Sequence, residues 1–305
     1  MIIVKLTGGL GNQMFQYAFG RTLSIKHNCK LMIDDSWYRE YDKIEDVNDP
    51  NKATKRNYLL KHFNIAGKIL PRYYLRVNNK IEQIRRSYPK IIPNQLFNFQ
   101  TIIENNFEWS NIKNNYKYLV VGYWQKSLHF EKYKDIINYD FKLKKALSNK
   151  NNQYYEQILT TNSVAIHVRR GDLLTKPNGK KLQPICTLEY YYSGITAISD
   201  NSKDLTIFIF SDDMEWCKNN FDNSYPITFV DSVGTDHEHF YLMSQCKHQV
   251  IANSTYSWWA AWLNNNPDKI IIAPKDWYRS KELNETAIHI PNEWILITNK
   301  GILYA

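Results

Sequence analysis

Apolar positions along this chain recur in two rhythms that take turns. Residues 1–6, MIIVKL, form a β-branched run of strand length. Residues 14–27, MFQYAFGRTLSIKH, place Phe15, Ala18, Phe19, Thr22, Leu23 and Ile25 at helical spacing. Between them lies the glycine-rich turn TGGLGNQ, and after them a second short run, CKLMID, at 29–34. Strand, turn, helix, strand is a βαβ unit, which predicts a parallel sheet covered by helices. YLVVGYW at 118–124 returns to a buried strand, and KSLHFEKYKDIINYDF at 126–141 reads as helix. Residues 36–115 are polar, aromatic and basic, with helical stretches whose limits the pattern does not set.

The second half repeats the alternation. Strands are predicted at SVAIHV (163–168), LTIFIF (205–210), ITFV (227–230), HQVIA (248–252) and KIIIA (269–273). Helices are predicted at LEYYYSGITAIS (188–199), DDMEWCKNNF (212–221), HFYLMSQC (239–246) and STYSWWAAWL (254–263). The polar stretch ALSNKNNQ, 146–153, is the expected link. The expectation is an α/β protein of two doubly wound domains, residues 1–150 and 151–305, with ligands bound in the cleft between them, outside the carboxyl ends of the strands.

Composition narrows the class. The 305 residues, 43% hydrophobic and 14% aromatic, suffice for two cores. No run reaches the ~18 apolar residues of a membrane span, and the first residues read as a strand, so a cytoplasmic protein is expected. Cys29, Cys186, Cys217 and Cys246 are scattered and suggest reduced thiols, with neither a disulfide framework nor a zinc site. The net charge of +9 is uneven. Residues 1–150 carry 26 basic and 13 acidic side chains, residues 151–305 carry 13 and 17. Within 52–90 there are 11 basic residues against Glu82. Such a segment is either a well-solvated surface or an attractor of nucleic acid, anionic lipid or anionic substrate. No nucleic-acid module accompanies it.

Chemistry concentrates at strand ends. In SVAIHVRRGD, alternation puts Val164, Ile166 and Val168 on one face and Ala165, His167 and Arg169 on the other. Arg169, Arg170 and Asp172 then fall at the carboxyl end, where an arginine fork suits a phosphate. Asp172 either orients an arginine or takes a proton, and Arg170 is either a ligand or a structural ion-pair partner. Asn253, Ser254 and Thr255 sit where a strand turns into a helix, whose first N–H groups suit capping or a phosphate. Trp258, Trp259 and Trp262 are expected in the core. Asp212 with Glu215 fits a capping box, and an aspartate there also suits a ribose or guanine. His237-Glu238-His239 is weak as a metal site, and the chain has no Asp-x-Asp. Gly9-x-Gly11, with Asp34 ending the next strand, invites a dinucleotide reading and a nicotinamide-dependent oxidoreductase. Met14 stands at the third glycine position and argues against it. Asn12 and Gln13 offer amides to sugar hydroxyls or phosphate oxygens.

GGLGNQMFQYAFGR at 8–21, HVRRGD at 167–172, FSDD at 210–213 and ANSTYSWWAAWL at 252–263 together resemble the bacterial α-1,2-fucosyltransferases of glycosyltransferase family 11. The resemblance runs from residue 1 to about residue 275 in the family's order. It implies a GT-B arrangement of two Rossmann-like domains facing across a cleft, acceptor on the first and donor on the second. It implies GDP-fucose as donor with no metal or other cofactor, inversion at the anomeric carbon, and a galactose-terminated acceptor glycan. The resemblance extends to an acceptor carried on a lipid diphosphate in surface-polysaccharide (O-antigen) synthesis. Residues 52–90 would then meet the anionic inner face of the cytoplasmic membrane. Arg169 is implied to bind the diphosphate, helped by Arg170, Asn253, Ser254, Thr255, Asp212, Glu238, Gly9, Gly11 and Gln13. Asn12 would face it across the cleft, and Asp172 and then His167 are the candidate bases.

Overall fold

A computed structural model describes residues 1–40, 55–71, 74, 99–104, 107–113, 117–222, 224–231 and 236–304. The described residues up to Lys142 form one compact unit and those from Leu143 onward a second.

In the first unit, β1 (Ile2–Lys5) is flanked by β2 (Leu31–Asp34) and β5 (Lys117–Val121), with β3 (Lys68–Ile69) and β4 (Phe99–Ile103) at the edges. All pairings are parallel. Between β1 and β2 runs α1 (Leu10–Lys26), whose Met14, Phe15, Ala18, Phe19 and Leu23 are buried. The helix starts earlier than the pattern predicts. Gly9 is its N-cap, so Gly11, Asn12 and Gln13 belong to the first helical turns, not to an open glycine loop. Close helix–strand approach comes at Gly20, where a Cβ would lie 3.0 Å from that of Val4. Asp34 is buried, and its Oδ1 accepts the Ser36 N–H at the start of α2 (Ser36–Glu40). The helix expected at 126–141 is broken into two 3-10 turns, Ser127–His129 and Glu131–Tyr133, before α3 (Lys134–Asp140).

The second unit holds a seven-stranded sheet. β6 (Asn162–Val168) lies inside the sheet, with β7 (Leu205–Ser211) and β8 (Ile227–Phe229) on one side. On the other lie β9 (His248–Val250), β10 (Ile271–Pro274), β11 (Ile295–Ile297) and β12 (Leu303–Tyr304). Every pairing is parallel except β11 with β12. Val164, Ile166 and Val168 pack with Ile207, Ile209, Tyr190, Tyr191 and Ile198 in one apolar core.

The expected link at 146–153 is largely helix, α4 (Asn149–Thr160), of the second unit. Its polar start has a partner: the Glu238 carboxylate accepts from Ser148 N at 3.2 Å, from Ser148 Oγ at 2.7 Å and from the Asn151 amide. Polarity there reflects a docked helix start, not a solvated tether. Of the basic segment 52–90, only residues 55–71 and 74 are described, so that expectation lies largely outside the described residues. Among the described residues no helix is long and apolar enough to cross a membrane.

Candidate functional site

The second sheet reverses its strand order between β6 and β9, and ligands of open α/β sheets sit at such a switch point, outside the carboxyl ends. Beyond β6 the chain runs through Arg169 and Arg170 into α5 (Gly171–Thr175) and α6 (Pro177–Leu182), and then reaches α7 (Leu188–Ser199). Beyond β9 it turns at Asn253 and Ser254 into α10 (Thr255–Trp262). The two loops meet at Arg169.

Arg169 Nε donates to Asp172 Oδ1 at 3.2 Å and Nη2 to Asp172 Oδ2 at 2.9 Å. Its Nη1 donates to Gln183 Oε1 at 3.3 Å and to the Asn253 carbonyl at 3.2 Å. The guanidinium is thus oriented by a two-point carboxylate clamp on one edge and held loosely on the other. It keeps some exposure, with 23% of its side chain accessible. Of the two roles open to Asp172, the structure shows the orienting one.

Arg170 points elsewhere. Its Nε donates to Asp213 Oδ2 at 3.0 Å, and its guanidinium lies 3.9 Å from the centre of the Trp216 ring. Asp212 does not form the capping box with Glu215. Its two oxygens accept the backbone N–H groups of Arg170, at 2.8 Å, and Gly171, at 3.1 Å. Asp213 caps α8 (Met214–Asn220) instead, accepting from Trp216 N–H. Together these contacts pin the loop after β6 to the loop after β7. A Cβ at Gly171 would lie 2.9 Å from Asp212 Oδ2, so glycine there lets the Asp212 carboxylate close on the Gly171 N–H.

Asn253 is fully buried, and its amide donates to the Pro184 and Trp277 carbonyls. The side chain braces the loop, and the carbonyl holds Arg169. The Gln183 Nε2 reaches the same carbonyl at 3.3 Å. Ser254 is the N-cap residue of α10 in extended conformation, but its hydroxyl makes no capping bond. That leaves the helix start, with Thr255 in its first position, uncapped by its own N-cap side chain. Trp258, Trp259 and Trp262 are buried in one aromatic cluster, as expected, with Trp259 edge-on to the other two rings.

His167 lies beneath this turn. Its Nδ1 is 2.9 Å from Ser257 Oγ, and its ring packs against Tyr256. Burial, reinforced by the Arg169 charge, lowers its pKa to about 3. A neutral, buried imidazole here ties β6 to α10 and is a weak base at neutral pH.

Other predicted residues are committed locally. Gln13 is fully buried: its amide donates to the Gly8 and Asn57 carbonyls and accepts the Leu59 N–H. Glu238 lies on α9 (Asp236–Gln245) and holds the start of α4. Asn12 Oδ1 accepts from Gln125 Nε2 at 3.1 Å. Gly9 and Gly11 stand at the start of α1. Among the described residues no three His, Cys, Asp or Glu side chains gather as a metal site. Gln183 and Ser257 escaped the sequence reading. Gln183 belongs to no motif, and a serine one turn inside a helix gives no signal of its own.

The profile of glycosyl transferase family 11 matches residues 1–298. An α-1,2-colitosyltransferase of Escherichia coli is 31% identical, covering 97% of this chain and 99% of that protein. The O-antigen biosynthesis glycosyltransferase WbnK of the same species is 30% identical over 95% and 98%. Among solved structures, NodZ α-1,6-fucosyltransferase co-crystallised with GDP aligns with a TM-score of 0.50 at 15% identity, covering 99% of this chain and 96% of that one. That likeness bears on the fold alone, two Rossmann-like α/β domains of the GT-B class.

Proposed function

The chain belongs to glycosyl transferase family 11, and from that membership we propose that it moves L-fucose from GDP-β-L-fucose to the 2-hydroxyl of a galactoside, inverting the anomeric carbon. The observation that carries the reading is Arg169, held by Asp172 at the switch point beside the start of α10. Departure of fucose builds negative charge on the β-phosphate. A preorganised guanidinium and the first N–H groups of a helix stabilise that charge where it develops. Because Asp172 occupies the Nε–Nη2 edge, the diphosphate meets the Nη1–Nη2 edge and takes over the long bonds to Gln183 and the Asn253 carbonyl. This charge does the work of a cation, so the reaction needs no metal.

The test is incubation with GDP-fucose and a panel of galactosides, read by mass spectrometry, with and without excess EDTA. Mass gain of one fucose that persists in EDTA is expected. Activity that disappears in EDTA and returns with magnesium or manganese sinks the metal-free step. Because a relative is named for colitose transfer, a GDP-colitose arm belongs in the same panel, and a preference for it would reassign the donor. The proposed acceptor rides on a lipid diphosphate at the inner membrane face. Salt-sensitive binding to anionic but not neutral vesicles tests the contact through residues 52–90.

A further inference from the structure

The first unit has a switch point of its own, between β1 and β5. The chain leaves β5 through a forced corner: Gly122 has φ +148°, and Trp124, a bulky residue, has φ +58° in the left-handed region. Two anchors hold it there. The Trp124 ring is fully buried and lies flat on Phe19, centroids 3.7 Å apart. The Glu104 carboxylate, just past β4, accepts the N–H of Tyr123 at 2.7 Å and that of Trp124 at 2.8 Å. A Cβ on Gly122 would lie 2.7 Å from the Glu104 Cβ, so the corner is built around glycine.

The consequence is an exposed ring on a rigid mount. Tyr123 leaves 52% of its surface accessible at the carboxyl edge of the sheet. Nearby, the Gln16 amide ties the Gly122 carbonyl to Thr7, and Gln125 donates to Asn12. The Tyr38 hydroxyl donates to the Gly8 carbonyl at 3.0 Å, and its ring packs against Tyr58. Strained backbone held by a dedicated carboxylate marks a place where side-chain position matters. An exposed ring with a polar side chain near it is how a site covers the apolar face of a sugar while meeting its hydroxyls.

We propose that Tyr123 is the platform on which the acceptor's terminal hexopyranose stacks, with the half-buried Asn12, braced by the buried Gln125, meeting its hydroxyls and Glu104 as the positioning residue. This rests on the glycosyl-transfer reading above. A galactopyranose suits the ring because its C3, C4 and C5 hydrogens lie on one face.

The experiment varies donor and acceptor independently in Tyr123→Ala, Tyr123→Phe, Glu104→Ala and Glu104→Gln. Galactose binding is followed in parallel by saturation-transfer NMR. Tyr123→Ala should raise the acceptor KM about tenfold or more, the scale of losing an aromatic anchor, with donor KM and melting temperature parental. Tyr123→Phe should stay near the parent. Glu104→Gln, which keeps one accepting oxygen, should lie between the parent and Glu104→Ala in acceptor KM. A purely structural Glu104 would move donor and acceptor KM together. If Tyr123→Ala fucosylates galactosides with parental acceptor KM, the platform is wrong and the proposed function stands. If no galactoside is fucosylated while galactose binding still depends on Tyr123, the platform stands and that function falls.

Discussion

Arg169→Lys keeps the charge but loses the planar fork that Asp172 clamps and a diphosphate needs. kcat is expected to fall by about 10²–10³, the scale of losing one preorganised donor. The melting temperature should stay parental, because the side chain is partly exposed and outside the apolar core. Parental kcat and KM for GDP-fucose would end the diphosphate assignment. Asp172→Asn should also lower kcat, by releasing the fork. Since both changes act on one guanidinium, the double variant should cost less than the two single effects combined. A fully additive result would mean that Asp172 has a separate task, proton abstraction being the foremost. Arg170→Lys should be milder than Arg169→Lys, since Arg170 is spent on Asp213 and Trp216.

The loops after β6 and β7 behave as one element, joined by Asp212, Asp213, Arg170 and Gly171. Removing the α8 cap with Asp213→Ala should cost about 1 kcal/mol or more, since it also strips Arg170 of its partner. Thermal melting should register at least about 2–4 °C. An unchanged melting curve would show the junction to be dispensable. Much of this element level was legible in advance. LEYYYSGITAIS became α7 residue for residue, because its apolar positions, its Thr187 cap and its flanks agree. Five of the seven strands of the second sheet were legible too, β6 and β7 because both their faces are buried and leave nearly continuous apolar runs, whereas the short β11 and β12 carried no such run and were missed. Residues 126–141 misled because a helix-like apolar spacing also fits successive 3-10 turns. The start of α4 misled because its polar residues are satisfied by Glu238, 90 residues away from Ser148. In the site, arginines and small capping residues announced themselves by type. The division of labour between Asp212 and Asp213, the bracing turn of Asn253 and the commitment of Gln13 depend on long-range partners that no local pattern carries.

Among the described residues, burial lowers the pKa of His167 to about 3, of His129 to about 4, and of His239 and His248 below their ordinary 6.5. Each binds a proton more weakly folded than unfolded. Below 6.5 the unfolded chain therefore takes up the extra protons, and stability falls as pH drops from there toward 4 and 3. Melting temperatures measured from pH 7.5 to 4 should decline over that window, and His167→Gln should flatten part of the slope. A curve flat down to pH 4 would contradict the buried neutral imidazoles. The partners of Arg169 have a consequence in time as well. They lie 3, 14 and 84 residues away along the chain, and the farthest arrives only when β9 docks beside β6 in parallel register. Closing so long a loop is slow. After dilution from denaturant, helical signal should therefore return first and turnover should recover with the slowest refolding phase, making the enzyme's own activity a clock for completion of the sheet.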